Sequence, residues 1–163
     1  MTLNNFKIRE IQPEDNSEIA ITIRKILIEF GVPKVGTAYA DTVLDSLYDV
    51  YQDKKAIYFV IEKDGEIYGG AGIKQLDNYS GNVCELQKMY FLPEARGIGL
   101  GSKMMKTCLD KAKEFGYAHC YLETLPYMED ARKLYKKVGF IDLDARMGDT
   151  GHYSCNLWML KDL

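Results

Sequence analysis

Three glycines, Gly97, Gly99 and Gly101, stand directly before a long amphipathic run in "ARGIGLGSKMMKTCLDKAKEFG". Glycine lets a chain take positive φ and lets a ligand come close to the backbone. The N–H groups at a helix start have no acceptors within the helix, and a compact nest of them favours an anion. Arg96 adds a permanent positive charge and a fork of donors at the approach. A pyrophosphate suits this combination. On the residues alone, a plain glycine-rich turn beside a solvated arginine suits it equally. Two other phosphate cradles fit less well. A dinucleotide fingerprint needs GxGxxG, and Ser102 stands where its last glycine belongs. A P-loop needs GxxxxGK[ST], and no Gly-Lys follows at that spacing.

Other side chains with chemistry to offer are few. Tyr135 falls in an apolar helical stripe with Ala131, Leu134 and Val138, so its hydroxyl needs a partner, for which water or backbone suffices. Glu85 opens a strand; in a dry cleft its pKa rises toward neutrality, and at a wet strand edge it orders water or pairs with Lys88. His119 and His152 are the only histidines and share no spacing with an orienting acid. His119 reads as structural, and His152 precedes the last strand. Glu123 and Asp130 form no metal constellation with either, no HExxH run is present, and no metal is expected. The four cysteines, Cys84, Cys108, Cys120 and Cys155, form no CxxC pair and read as small buried hydrophobes. Cys84 and Cys155 are expected on neighbouring strands.

Periodicity supplies the scaffold for these residues. "FKIREI" reads as a strand. Asp15 or Ser17 is placed to cap a helix carrying Ile19, Ile23, Ile26, Leu27 and Phe30, ended by Gly31. Val43, Leu44, Leu47, Tyr48 and Tyr51 mark a short second helix. "AIYFVIEKDGEIYGGAGIKQL" is two strands around an Asp64-Gly65 turn, and "NVCELQKMYFL" is a strand stopped by Pro93. After the glycines, Met104, Met105, Cys108, Leu109 and Ala112 form the apolar stripe of a helix. "HCYLET" is a strand, "MEDARKLYKKVGF" a helix, "IDLDA" a short strand and "YSCNLWML" the last. The order is β-α-α-β-β-β-α-β-α-β-β, which a mixed sheet with helices on both faces buries in one α/β domain over residues 1–163.

Composition narrows the function classes. The chain has 163 residues, 47% hydrophobic and 28% charged, with a formal net charge of -3. That balance disfavours a general nucleic-acid binder. No segment reaches the roughly 18 consecutive apolar residues of a membrane span. The start "MTLNNFKIREIQPED" lacks the apolar centre of a signal peptide, so a reduced cytoplasmic protein is expected.

The run Arg96-Gly97-Ile98-Gly99-Leu100-Gly101 resembles the Q/R-x-x-G-x-G/A signature of the GCN5-related N-acetyltransferase (GNAT) superfamily. Its context "ELQKMYFLPEARGIGLGSKMM" is similar in order: strand, proline, signature, helix. "LETLPYMEDARKLYKKVGF" resembles the second conserved block of that family, and "GHYSCNLWML" its closing strand. The resemblance is densest over residues 85–140. It implies a mixed, mostly antiparallel sheet in which a splayed strand pair forms a cofactor cleft, with acetyl-CoA as co-substrate. Backbone groups from Arg96 through Ser102, with Ile98 and Leu100 among them, would hold the pyrophosphate. Met89, Tyr90 and Phe91 would pair with the pantetheine arm as a missing strand would. Tyr135 would serve the departing sulfur as acid, and Glu85 would be a base, directly or through water. Transfer would be direct, in a ternary complex, to an amine. A small-molecule acceptor is expected, with Tyr39, Tyr48 and Tyr79 as candidate aromatic walls and residues 29–43 at its entrance. No nucleic-acid or membrane partner is implied, and a homodimer is left open. Two other readings stand beside this one: a protein N-terminal or lysine acetyltransferase, and an acyl-CoA-binding regulatory module without turnover.

Overall fold

The computed structural model describes residues 5–163. The strands are β1 (Lys7–Glu10), β2 (Ile57–Lys63), β3 (Glu66–Gln75), β4 (Val83–Phe91), β5 (His119–Thr124), β6 (Ile141–Leu143) and β7 (Leu157–Asp162). The helices are α1 (Asn16–Glu29), α2 (Leu47–Val50), α3 (Leu100–Glu114) and α4 (Glu129–Lys137). One sheet runs in the order β1-β2-β3-β4-β5-β7-β6. Every neighbouring pair is antiparallel except β4 and β5.

Two apolar layers sandwich this sheet. On one face Met104, Met105, Cys108 and Ala112 of α3 are fully buried with Cys84, Leu86 and Leu122 of the strands, and Tyr135 and Phe140 extend the layer under α4. On the other, Ile19, Ile23 and Leu27 of α1 and Leu47 of α2 pack on Tyr58, Val60 and Ile67. The three- and four-residue spacing of these positions explains why each helix buries one stripe and leaves its charges in water. The Asp64-Gly65 turn joins β2 to β3 with φ of 52° and 81°, the two positive values that a tight hairpin matched to the sheet twist requires.

Several elements depart from the expectations. Asp15 sits just before α1 but caps no α1 N–H with its side chain. Its carboxylate accepts from Arg9 at 2.8 and 3.0 Å and from the Gln12 N–H at 2.7 Å. The second helix begins as a 3-10 turn over Thr42–Ser46 and is α-helical only over Leu47–Val50. The last strand starts at Leu157, later than "YSCN" suggests, because its partner β5 ends opposite it at Thr124. Cys155 therefore lies in a turn and is no neighbour of Cys84, whose register partner is Cys120 on β5.

Two irregularities interrupt the ladders of β4. Its pairing with β5 stops at Glu85 and Tyr121, leaving residues 86–91 of β4 and 122–124 of β5 without each other. Its register against β3 jumps between Gly72–Gln87 and Gly70–Tyr90, a bulge centred on Lys88, whose φ is 50°. The buried Tyr58 hydroxyl donates to the Lys88 carbonyl at 2.9 Å and holds the bulge from below.

Candidate active site

Where β4 and β5 part, a cavity of about 440 Å³ opens between the residues after the bulge and the start of α4. Its β4 wall is Met89, Tyr90 and Phe91; Arg96, Gly97 and Gly101 close the end at α3; Tyr135 and Leu134 line the α4 side. Ile98, Gly99, Leu100 and Ser102 complete the turn and the first helical residues beside it. Leu100 is buried in the core, and Ser102 is exposed. Gly97 and Gly99 hold φ of 72° and 86°, and a Cβ on either would meet only open space. That is the backbone shape a ligand cradle needs, with Gly99 in the N-cap position of α3 and the free N–H groups of the first turn behind it.

Arg96 is placed differently from a free anion clamp. Its guanidinium donates to both Glu29 oxygens at 2.8 and 2.9 Å, its Nε donates to the Phe91 carbonyl at 2.9 Å, and it lies over the Phe30 ring. It braces the end of α1 against the glycine turn. Tyr135 lines the cavity, and its hydroxyl has no hydrogen-bond partner among the described residues. Burial, reinforced by the Cys120 thiol, pushes its pKa well up, so the phenol holds its proton.

Glu85 does not line this cavity. It faces a second, smaller one of about 40 Å³ on the α1 side of the sheet, shared with Lys88, Glu123, His152 and Cys155. Tyr90 lines both, standing between the two spaces. Glu85 is opposite Tyr121 in parallel register, and Glu123 lies two residues further along β5, so strand alternation puts both carboxylates on one face. Glu85 is 4% exposed. Its Oε1 accepts from Gln87 at 2.7 Å, not from Lys88. Burial pushes its pKa up to about 7; the Gln87 bond opposes this, Glu123 reinforces it, and Lys88 and His152 oppose it. Glu123 accepts from the Tyr121 hydroxyl at 2.7 Å and from Thr150 at 2.6 Å.

The cations of this well are already engaged. Lys88, its side chain 7% exposed, has its ammonium 3.7 Å from Asp41, and His152 Nε2 is 2.7 Å from the same carboxylate. Burial is the largest single influence on His152 and pulls its pKa down, but the bond to Asp41 and the charges of Asp41 and Glu85 together outweigh it, and the net shift is upward. The Cys155 thiol is raised to about 12, by burial first and then by Glu123 and Glu85, so it stays protonated.

None of Tyr39, Tyr48 and Tyr79 lines either cavity. Tyr39 stacks under Arg24 and Lys34, and Tyr79 is exposed in the turn between β3 and β4. Of residues 29–43, Phe30 reaches the cleft, Ala38 reaches the well and Asp41 ties down His152. Sequence reasoning misses Ile26, Tyr127 and Met128 in the cleft and passes over Glu123, Lys88 and Cys155 in the well. Alternation along "HCYLET" puts Glu123 on the face of Tyr121, but only the parallel register with β4 brings it beside Glu85; Asp41 carries no signal. His119 pairs with Asp162 at the surface, 2.8 Å away, remote from both cavities.

The chain matches the acetyltransferase (GNAT) family over residues 22–140. It is 41% identical over 157 residues to an uncharacterized N-acetyltransferase of Escherichia coli K12, YjgM, covering 96% of this chain and 94% of that one. In three dimensions it resembles a GNAT-family acetyltransferase of Staphylococcus aureus Mu50, with TM-score 0.85 and 21% identity over 97% of this chain and 99% of that one. It also resembles yncA of Salmonella typhimurium, solved with acetyl-CoA, with TM-score 0.75 and 21% identity over 98% of this chain and 95% of that one.

Proposed function

The chain belongs to the acetyltransferase (GNAT) family, and on that premise we propose that it moves the acetyl group of acetyl-CoA onto a primary amine of a small molecule. Both substrates are bound together, in one domain spanning residues 1–163 and acting in the cytoplasm. The observation that carries this reading is the continuity of three features in one cleft: the open edge of β4 beyond Glu85, the glycine turn, and the unpartnered Tyr135 hydroxyl.

Backbone groups of the Met89–Phe91 stretch on the side away from β3, the Phe91 carbonyl held by Arg96 excepted, have no β5 partner and can bond an extended amide chain as a strand would. The N–H groups from Arg96 to Ser102 at the head of α3 suit a pyrophosphate. Acetyl-CoA supplies the activated acyl group as a thioester. Tyr135, kept protonated by burial, donates to the sulfur. Glu85, poised at about 7, draws a proton from the acceptor through water. The N–C bond forms as the C–S bond breaks; one ammonium proton passes to Glu85, and a second offsets the proton that Tyr135 gives up. A protonated Cys155 and three buried cysteines support direct transfer over a cysteine-bound acetyl group. The four free thiols suit a reducing compartment.

Calorimetry against acetyl-CoA, NAD and ATP tests the reading. Micromolar binding of acetyl-CoA alone is expected, and preference for either nucleotide overturns it. Gly99→Val fills the open approach and strains a φ of 86°, so acetyl-CoA affinity is expected to fall by ~100-fold with a folded circular-dichroism spectrum retained.

A further inference from the structure

Behind Glu85 runs a buried chain of hydrogen bonds that the acetyl-transfer reading does not use. The hydroxyl of Tyr51, at the C-terminal end of α2, donates to Gln87 Oε1, and Gln87 Nε2 donates to Glu85 Oε1 at 2.7 Å. Gln87 and Glu85 share one face of β4 by strand alternation, and Tyr51 reaches them over β3. Gly72, the register partner of Gln87 on β3, keeps that path open. A Cβ there would come within 2.6 Å of the Tyr58 ring and 3.1 Å of the Tyr51 ring. Tyr51 is 3% exposed, and its ring packs against Tyr58 with centroids 5.2 Å apart. Burial, reinforced by Tyr58 and Glu85, raises its pKa well above the ordinary phenol range, so the hydroxyl keeps its proton and can donate.

The chain of bonds has a direction. The Tyr51 hydroxyl has no other acceptor among the described residues. While it donates to Oε1, the amide offers Glu85 only its N–H, which a carboxylate accepts. For Glu85 to bond the amide as a neutral acid, the amide must turn end for end, and the phenol proton is then orphaned. A buried donor without a partner is strongly disfavoured. We propose that Tyr51 is a positioning residue for Glu85: by fixing the direction of the Gln87 amide, its hydroxyl favours the carboxylate form, the one able to take a proton. The use made of that form rests on the acetyl-transfer reading. Other groups facing the carboxyl do not replace this relay. The Tyr121 hydroxyl donates to Glu123 on β5, Lys88 and His152 are held by Asp41, and Cys155 and Tyr90, raised by burial, keep their protons. Burial raises the Glu85 pKa, and the Gln87 bond is the largest influence against it.

The test is a titration of Glu85 by nuclear magnetic resonance in the full chain, isotopically labelled at the glutamate side-chain carboxyl carbon. Glu85→Gln identifies the resonance by its loss, and no acceptor is needed. Tyr51→Phe keeps the packed ring and removes the hydroxyl, and the Glu85 midpoint is expected to rise by about one pH unit. Gln87→Leu is expected to raise it by at least as much, because the donor itself is gone. Adding Tyr51→Phe to Gln87→Leu is expected to move the midpoint by less than about 0.3 unit further, since nothing then carries the effect. An unchanged midpoint in Tyr51→Phe overturns the proposal. So does a Tyr51→Phe shift of equal size with and without Gln87, which is the mark of a direct effect of the phenol. Calorimetry with acetyl-CoA on the same proteins tests the acetyl-transfer reading separately. Failure to bind removes that reading and leaves the relay to the titration; binding with a flat titration removes the relay alone.

Discussion

The cleft and the well lie on either side of Tyr90 and are made of different material. The cleft is largely backbone: an unpaired strand edge, two glycines at positive φ and the first turn of α3. The well is side chains drawn from four separate stretches: Glu85 and Lys88 on β4, Glu123 on β5, and Asp41 and His152 brought to them by two loops. Backbone donors are the same whatever residues carry them, so the cleft suits one ligand chemistry held constant. The well changes character with any single substitution, so on the proposed reading it is where one acceptor would be told from another.

Three measurements put that contrast at risk. The largest effect is expected at Tyr135, the side chain proposed above to carry the cleft's share of the chemistry. Tyr135→Phe removes one hydroxyl from an otherwise packed ring and is expected to slow acetyl transfer by ~10²–10⁴-fold in single-turnover measurements, with acetyl-CoA affinity unchanged. An unchanged rate would leave the cleft as a pure binding surface. Next is Glu85. Its carboxyl titrates near 4.5 when unfolded and near 7 when folded, so the folded state holds the proton longer. Stability from this group is therefore full below about pH 4.5 and is lost as pH rises through about 7. Glu85→Gln is expected to gain about 3 kcal/mol relative to the parent between about pH 4.5 and pH 8, read from urea unfolding at both ends. A flat difference would mean the well is wetter than its burial shows. The smallest effect is expected at Arg96. Arg96→Ala removes a partly exposed ion pair with Glu29 and leaves the N–H groups of α3 in place, so acetyl-CoA affinity is expected to change by about fivefold or less. A loss of ~100-fold or more would make the cradle a side-chain device after all.

The same contrast explains what is legible in the residues. Gly97, Gly99 and Gly101 before an amphipathic run announce a turn and a helix start together, because local physics decides both. The order of elements along the chain comes from periodicity, and the wedge after Glu85 comes from resemblance. The well is harder. Glu123 reads in the sequence only as a failed metal ligand, and its place beside Glu85 depends on parallel register between strands separated by α3. Asp41 meets His152 across more than a hundred residues through two loops whose paths no periodicity encodes. Tyr39, Tyr48 and Tyr79 are plausible walls by type, but Tyr39 stacks under Arg24 and Lys34, outside the well. Arg96 carries the right charge, and α1 supplies it with a partner, Glu29, that lies far away in the chain.

The short seam between β4 and β5 has a mechanical consequence. Only Val83, Cys84 and Glu85 are laddered to His119, Cys120 and Tyr121, so the sheet is two plates, β1 to β4 and β5 to β6, fastened along one end. An occupant bonded to the exposed edge of β4 adds rungs beyond the fastening and resists the plates' opening. Amide exchange along residues 86–91 and 122–124 then becomes a gauge of occupancy, slow when the seam is extended and fast when it is not. With the edge filled, the plates are expected to unfold as one body; with it empty, exchange is expected first in the smaller plate.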